Sequence, residues 1–261
     1  MEQGSGEPII LIHDYTSSIE RSWTNTGVLQ NLAKDHRVIA LDLRGHGKSD
    51  KPTTRGSYGI ELSQDVVRLM DHLAIPRAHI VGHAFGGTVN AKLLTIAADR
   101  YKTAILTASA GSRTWTALNE KAAEDEAVEL TQGVPFRTVI LRIAPSDRPK
   151  PTEETIREQS RVMVSVNDPV ALAALVRSRR ELVVTNAQMA AVRVPTLAIV
   201  GGVDAALSGV NELKTIMPTL NLVVIQDAVH SADDPRSVQR RPEFVNAIRD
   251  FIGNHRMSTG P

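Results

Sequence analysis

His79-Ile80-Val81-Gly82-His83-Ala84-Phe85-Gly86-Gly87 reads as a β-strand that runs straight into a helix through a turn with a glycine on either side. Ile80 and Val81 are β-branched and apolar, as a strand covered on both faces requires. The helix follows over residues 88–98. Gly82 and Gly86 stand two before and two after Ala84, and residues so placed around a sharply bent central position must be small, because side chains there collide across the strained backbone. The segment therefore joins a buried strand to a helix and presents one side chain, that of residue 84, at the bend.

Outward from this turn, short apolar runs alternate with longer amphipathic segments. Strands are expected at residues 9–13, 37–41, 79–81, 103–107, 196–200 and 222–225. Most are runs of Ile, Val, Leu and Ala without alternation, the pattern of a parallel sheet with helices on both faces. Leu62, Val66, Leu69, Met70 and Leu73 recur at i, i+4, i+7, i+8 and i+11, which predicts a helix. Val28, Leu29 and Leu32 predict another, and Phe244, Ala247, Ile248 and Phe251 a last one. From residue 112 to residue 192 the strand signals fade and Ala-, Glu- and Arg-rich stretches replace them. The expected class is α/β, with a core domain of residues 1–111 and 193–261 and a helical cap inserted as residues 112–192. Prolines between 145 and 151 predict a loop joining two helical hairpins of that insertion.

The 261 residues carry 30 Lys+Arg against 29 Asp+Glu, a net charge of +1. That balance argues against nucleic acid as a partner, since a polyanion binder concentrates a basic excess on one face. With 42% hydrophobic and 23% charged residues the composition is that of an ordinary globular chain with one substantial core. There is no cysteine, which removes disulfides, thiolate metal sites and a cysteine nucleophile together. No histidine pair has i, i+4 spacing with an adjacent carboxylate, which disfavours a metal site; no cofactor is expected. Met1-Glu2-Gln3-Gly4-Ser5-Gly6-Glu7 lacks the charged-then-apolar form of a secretory signal. Apolar runs such as Ile9-Ile10-Leu11-Ile12 fall far short of the ~20 residues of a membrane span, and the expected location is the cytoplasm.

The spacing around residue 84 is that of the G-x-S-x-G nucleophile elbow, with Gly82 and Gly86 in place and Ala84 where serine belongs. Two further segments agree. Pro8-Ile9-Ile10-Leu11-Ile12-His13 is similar to the strand that leads to a His-Gly oxyanion loop, and Asp42-Leu43-Arg44-Gly45-His46-Gly47-Lys48-Ser49 to a D-x-R-G-x-G-x-S loop. An Asp and then a His follow the elbow in chain order. On these residues the sequence resembles the α/β-hydrolase family over nearly its whole length, specifically the serine esterases and lactonases.

The resemblance implies a mostly parallel sheet flanked by helices and a catalytic set on its loops. Asp204, in Gly201-Gly202-Val203-Asp204, takes the position of the acid, because Ala108-Ser109-Ala110-Gly111 offers no carboxylate after the preceding strand. His230 takes that of the base. Asp227, in the same loop, is read as structural. The oxyanion hole would use the backbone N–H groups of Phe85 and Tyr15. The family's His-Gly is here His13-Asp14, so a side chain stands where glycine is usual. Asp14, His83 and Trp115 are placed at the substrate, Trp115 from the start of the cap.

In the implied mechanism a serine at position 84 attacks an ester or lactone carbonyl, His230 takes its proton, and water releases the acyl group. Ala84 supplies no nucleophile, so the chain is expected to be inactive, as a Ser→Ala variant that traps substrate would be. Two other readings stand beside this one. The first is a natural non-catalytic protein binding a small ligand in the same pocket. The second is a dehalogenase or epoxide hydrolase whose original nucleophile at this position was aspartate, against which the 3% aromatic content speaks. Finally, the family's hairpin before the first strand has few residues to form from here. The edge of strand 37–41 is expected to be covered by the N-terminal segment or by self-association into a homo-oligomer.

Overall fold

A computed structural model describes residues 1–255. The apolar runs form β1 (Glu2–Gln3), β2 (Pro8–Ile12), β3 (Arg37–Leu41), β4 (Ala78–His83), β5 (Tyr101–Thr107), β6 (Thr196–Gly201) and β7 (Asn221–Ile225). They make a seven-stranded sheet in the order β1-β3-β2-β4-β5-β6-β7. All neighbouring pairs from β3 to β7 are parallel, while β1 runs antiparallel to β3 with Glu2 opposite Ile39 and Gln3 opposite Val38. Thus the N-terminal segment covers the edge of β3. That pairing meets the need for which self-association was the other candidate.

Because strand side chains alternate between faces, each buried strand feeds two separate cores. Ile10, Ile12, Ile80, Ala104, Leu106, Ala198 and Val200 point to one face. There they meet α2 (Ile60–His72), α3 (Phe85–Ile96) and α9 (Leu207–Ile216). Ile9, Leu11, Val38, Val81, Ile105, Leu197 and Ile199 point to the other, against α1 (Val28–Leu32), α10 (Pro242–Asn254) and Trp23.

Between β5 and β6 lie α4 (Ala117–Gln132), α5 (Arg137–Arg142), α6 (Glu153–Val166), α7 (Pro169–Ser178) and α8 (Asn186–Ala191). Their starts are written locally. Thr116 and Asn119 form a capping box on α4, and Asp168 caps α7 ahead of Pro169 at its first turn. The prolines from 145 to 151 fall in the loop between α5 and α6. Ala127, Leu130, Leu172 and Leu175 of these helices belong to the same apolar cluster as α2 and α3, so the segment shares the core of that face. Among the described residues no helix is long and apolar enough to cross a membrane.

One departure from the sequence reading is instructive. α3 starts at Phe85, three residues before the expected start, and takes Gly86 and Gly87 into its first turn. Glycine is a poor helix former, but here it is required by contact. A Cβ on Gly86 would lie 2.2 Å from the Ile12 carbonyl oxygen, and one on Gly82 would lie 2.3 Å from that of Gly86. Gly86→Ala is therefore expected to destabilise the fold by about 3 kcal/mol through overpacking against backbone. Urea denaturation measures it, and an unchanged midpoint would refute the packing argument.

Candidate active site

Residue 84 sits between the end of β4 and the first turn of α3, with φ 48° and ψ −107°. An alanine held there costs on the order of 1–3 kcal/mol. The bend persists because the Ala84 N–H donates to the Thr107 carbonyl at 2.8 Å and its own carbonyl accepts from the Thr88 N–H at 3.2 Å. Its methyl group forms part of the floor of a cavity of about 450 Å³.

Asp204 follows β6 in a turn whose geometry it helps to hold, its Oδ1 accepting from the Ala206 N–H at 2.8 Å. Its side chain is fully buried. His230 lies on the loop after β7, braced where the Val229 N–H donates to Arg236 and the Val238 N–H donates back to Val229. The His230 Nδ1–H points between both carboxylate oxygens of Asp204, each 3.1 Å away. Nε2 is thereby turned toward the other side of the ring, where Asp14 Oδ2 stands 3.8 Å off.

The loop after β2 brings in the departure noted in the sequence. The backbone N–H groups of Tyr15 and Phe85, the pair expected to form the oxyanion hole, do converge on one atom. That atom is Asp14 Oδ1, at 2.6 Å from Tyr15 N and 3.0 Å from Phe85 N. His13 fixes this loop from beneath: it donates from Nδ1 to the Asp14 carbonyl at 2.7 Å, and its Nε2 accepts from the Leu43 N–H at 3.0 Å. An Asp14 carboxylate thus occupies the space a glycine would leave open.

The electrostatics follow from this crowding. Burial alone would push the His230 pKa down, but the hydrogen bonds and charges of Asp14 and Asp204 overcome it and raise the pKa to about 10. For Asp14, burial pushes up, and the His230 hydrogen bond and charge with the Phe85 N–H bring the pKa down to about 2. At neutral pH the centre is an imidazolium between two carboxylates. Its stabilising effect is full below the ordinary histidine pKa and is lost as pH rises through about 10; the Asp14 contribution is lost as pH falls from the ordinary carboxylate range toward 2. Titration of the His230 imidazole by NMR is expected to show it still protonated at pH 8, and Asp14→Asn to move its pKa toward the ordinary value. An imidazole already neutral at pH 7 would contradict the geometry.

His83 is buried, and its Nδ1 is 2.9 Å from Thr107 Oγ1 while its ring centre lies 5.5 Å from that of His230. Trp115 lines the 450 Å³ cavity with its indole N–H donated to Glu120. A second cavity of about 640 Å³ lies toward α6 and the 231–235 loop and includes His83. Asp14, Tyr15, Ile143 and His230 border both cavities, so the charged centre stands in the wall between them. Among the described residues no group of three or more His, Asp or Glu is arranged to hold a metal ion.

One part of the site escaped the sequence reading. Arg179, just after α7, stacks its guanidinium 4.4 Å from the centre of the Tyr15 ring and bonds Glu126 of α4 at 2.9 and 3.2 Å. Arg142 approaches the same carboxylate at 3.6 Å, and both arginines line the 450 Å³ cavity. The available signal was Glu126 itself, which falls on the stripe Ala123, Ala127 and Leu130 that α4 buries. A carboxylate on a buried stripe requires a cationic partner.

A sequence profile described as the alpha/beta hydrolase fold matches residues 7–154. The dihydrolipoyllysine-residue acetyltransferase component of the acetoin cleaving system of Pseudomonas putida is 42% identical over 106 residues, 41% of this chain and 28% of that protein. A soluble epoxide hydrolase of a Corynebacterium species is 41% identical over 86 residues, 33% of this chain and 29% of that one. The chain thus aligns with under a third of the length of either relative. A thermophilic esterase from Thermogutta terrifontis superposes with a TM-score of 0.77 over 98% of this chain and 92% of its own, at 22% identity, a likeness that bears on the fold.

Proposed function

Because the chain belongs to the alpha/beta hydrolase fold family, we propose that its site is that of a carboxylic ester or lactone hydrolase in which Ala84 stands where the nucleophilic serine would. Asp204 orients His230, whose Nε2 would take the serine proton, and the N–H groups of Tyr15 and Phe85 would hold the oxyanion. The observation that carries this reading is the convergence itself. Without any group at position 84 to serve, a buried carboxylate still holds His230 by Nδ1 in the wall of the cavity that Ala84 lines, and the elbow still keeps its strained turn. Ala84 is then a Ser→Ala replacement that leaves a form able to bind an ester without being acylated. The esterase name of a structural neighbour agrees with this reading.

On this proposal the substrate is a small ester or lactone held in the cavity beside Trp115, with residues 112–192 acting as a cap over it. His83 keeps the rear of the His230 ring. No cofactor, nucleic acid or membrane is required, and the cytoplasm is the compartment proposed. The test is hydrolysis of p-nitrophenyl esters by Ala84→Ser, with and without Asp14→Gly. Turnover by the double variant supports the reading, and a folded double variant with no turnover overturns it.

A further inference from the structure

The mechanism just proposed has no use for Asp14, yet Asp14 holds the central position of the site. Oδ1 lies in the oxyanion hole, bound by the Tyr15 and Phe85 N–H groups. Oδ2 stands 3.8 Å from His230 Nε2, and Asp14 borders both cavities, the smaller of which Ala84 also lines. One carboxylate therefore fills the hole with one oxygen and faces the catalytic histidine with the other. This is the posture that an attacking carboxylate needs in order to be regenerated: once the outer oxygen carries an alkyl group, the inner one is the carbonyl of an ester already seated in an oxyanion hole.

We propose that Asp14, reaching in from the loop after β2, is a nucleophile in its own right, and that the chain with alanine at position 84 opens epoxides to diols through an ester on Asp14. In the first step Oδ2 bonds to an epoxide carbon and the carbon–oxygen bond breaks. The ring oxygen takes the proton from His230 Nε2, which leaves His230 neutral. In the second, neutral His230 takes a proton from water as the water oxygen bonds to Cγ. The negative charge on Oδ1 is held by the Tyr15 and Phe85 N–H groups. Collapse breaks the Cγ–Oδ2 bond, the departing diol oxygen takes the proton back from His230, and the new carboxylic acid of Asp14 passes its proton to His230. The sum is epoxide plus water giving diol, with the starting pair restored.

An epoxide fits better than an alkyl halide. Epoxide opening calls for a proton donor, which His230 supplies. Halide departure calls for indole-like donors, but the Trp115 N–H is given to Glu120 and Trp23 is buried in the cluster on the opposite face of the sheet. The cavity beside Ala84, walled by Phe85, Val139 and Leu182, suits an aryl or alkyl substituent. The acid step also fixes the pH dependence, since activity should fall as pH rises through about 10, where His230 gives up its proton.

The experiment uses the unmodified chain with styrene oxide and a small panel of terminal alkyl epoxides. Diol should form, and Asp14→Asn should lower its rate by at least about 10³-fold, as loss of a covalent nucleophile does. With protein in excess over epoxide in heavy-oxygen water, the label should enter the Asp14 carboxylate, read by mass spectrometry of the peptide that contains it, and stay out of the first-formed diol. Absence of diol across the panel, equal rates for Asp14→Asn, or label passing directly into the diol would each overturn the assignment. Its failure is separable from failure of the ester reading, which is judged on Ala84→Ser with Asp14→Gly and an ester.

Discussion

Ala84→Ser combined with Asp14→Gly is expected to raise ester hydrolysis by on the order of 10⁶ over the unmodified chain, the usual worth of a nucleophile working with its histidine. Ala84→Ser alone should recover only part of that. With Asp14 in place, Oδ1 blocks the Tyr15 and Phe85 N–H groups, so the oxyanion has no donors; the loss of one such donor alone costs about 10²–10³ in kcat. The same carboxylate holds His230 protonated up to about pH 10, and a protonated imidazole cannot accept the serine proton. The single variant should accordingly gain activity as pH rises toward 10. The double variant should reach its plateau at lower pH, because the partner that raised the pKa is gone. Steady-state rates on p-nitrophenyl acetate from pH 6 to 10 measure both effects, and identical profiles would mean that Asp14 does not control the histidine.

Glu126→Ala is expected to cost roughly 3–5 kcal/mol of stability, the usual penalty for leaving a buried charge unpaired. Glu126 is 4% exposed, and Arg179, which it holds at 2.9 and 3.2 Å, is 17% exposed. The arginine in turn stacks on Tyr15, whose backbone N–H donates to Asp14 Oδ1. The pair therefore ties α4 and the end of α7 to the loop that carries Asp14 and Tyr15. Glu126→Gln, which keeps the shape and removes the charge, should lose less. Urea denaturation followed by circular dichroism reads the difference, and a Glu126→Ala protein as stable as its parent would show that water reaches Arg179 freely.

Much of the architecture is written in local patterns. Short runs of Ile, Val and Leu bounded by helices can close into a buried parallel sheet in few ways, and the glycines at 82 and 86 mark the tight approach of α3 to β2. Asp204 and His230 were legible for a related reason: each follows a recognisable strand, and the loops at the same end of a parallel sheet meet. The covering of β3 was legible only as a need, because an unpaired edge must be satisfied but two residues, Glu2 and Gln3, are too few to read as a strand. The seating of Asp14 was not legible. Its place beside His13 said only that a glycine was missing, whereas its reach into the hole depends on the φ of neighbouring residues and on Phe85, distant in sequence. The ion cluster of Glu126, Arg142 and Arg179 likewise joins three helices whose packing no local pattern specifies.

The central proposal is that Asp204, His230 and the backbone N–H groups of Tyr15 and Phe85, once Asp14 is removed, serve a nucleophile at position 84. It is tested most directly by mixing the Ala84→Ser, Asp14→Gly protein rapidly with p-nitrophenyl acetate and mapping the product. A burst of nitrophenol stoichiometric with the chain is predicted, together with an acetyl group on the introduced serine, and loss of both on adding His230→Ala. A folded protein that gives no burst, or one whose acetyl group lies on another residue, would contradict it.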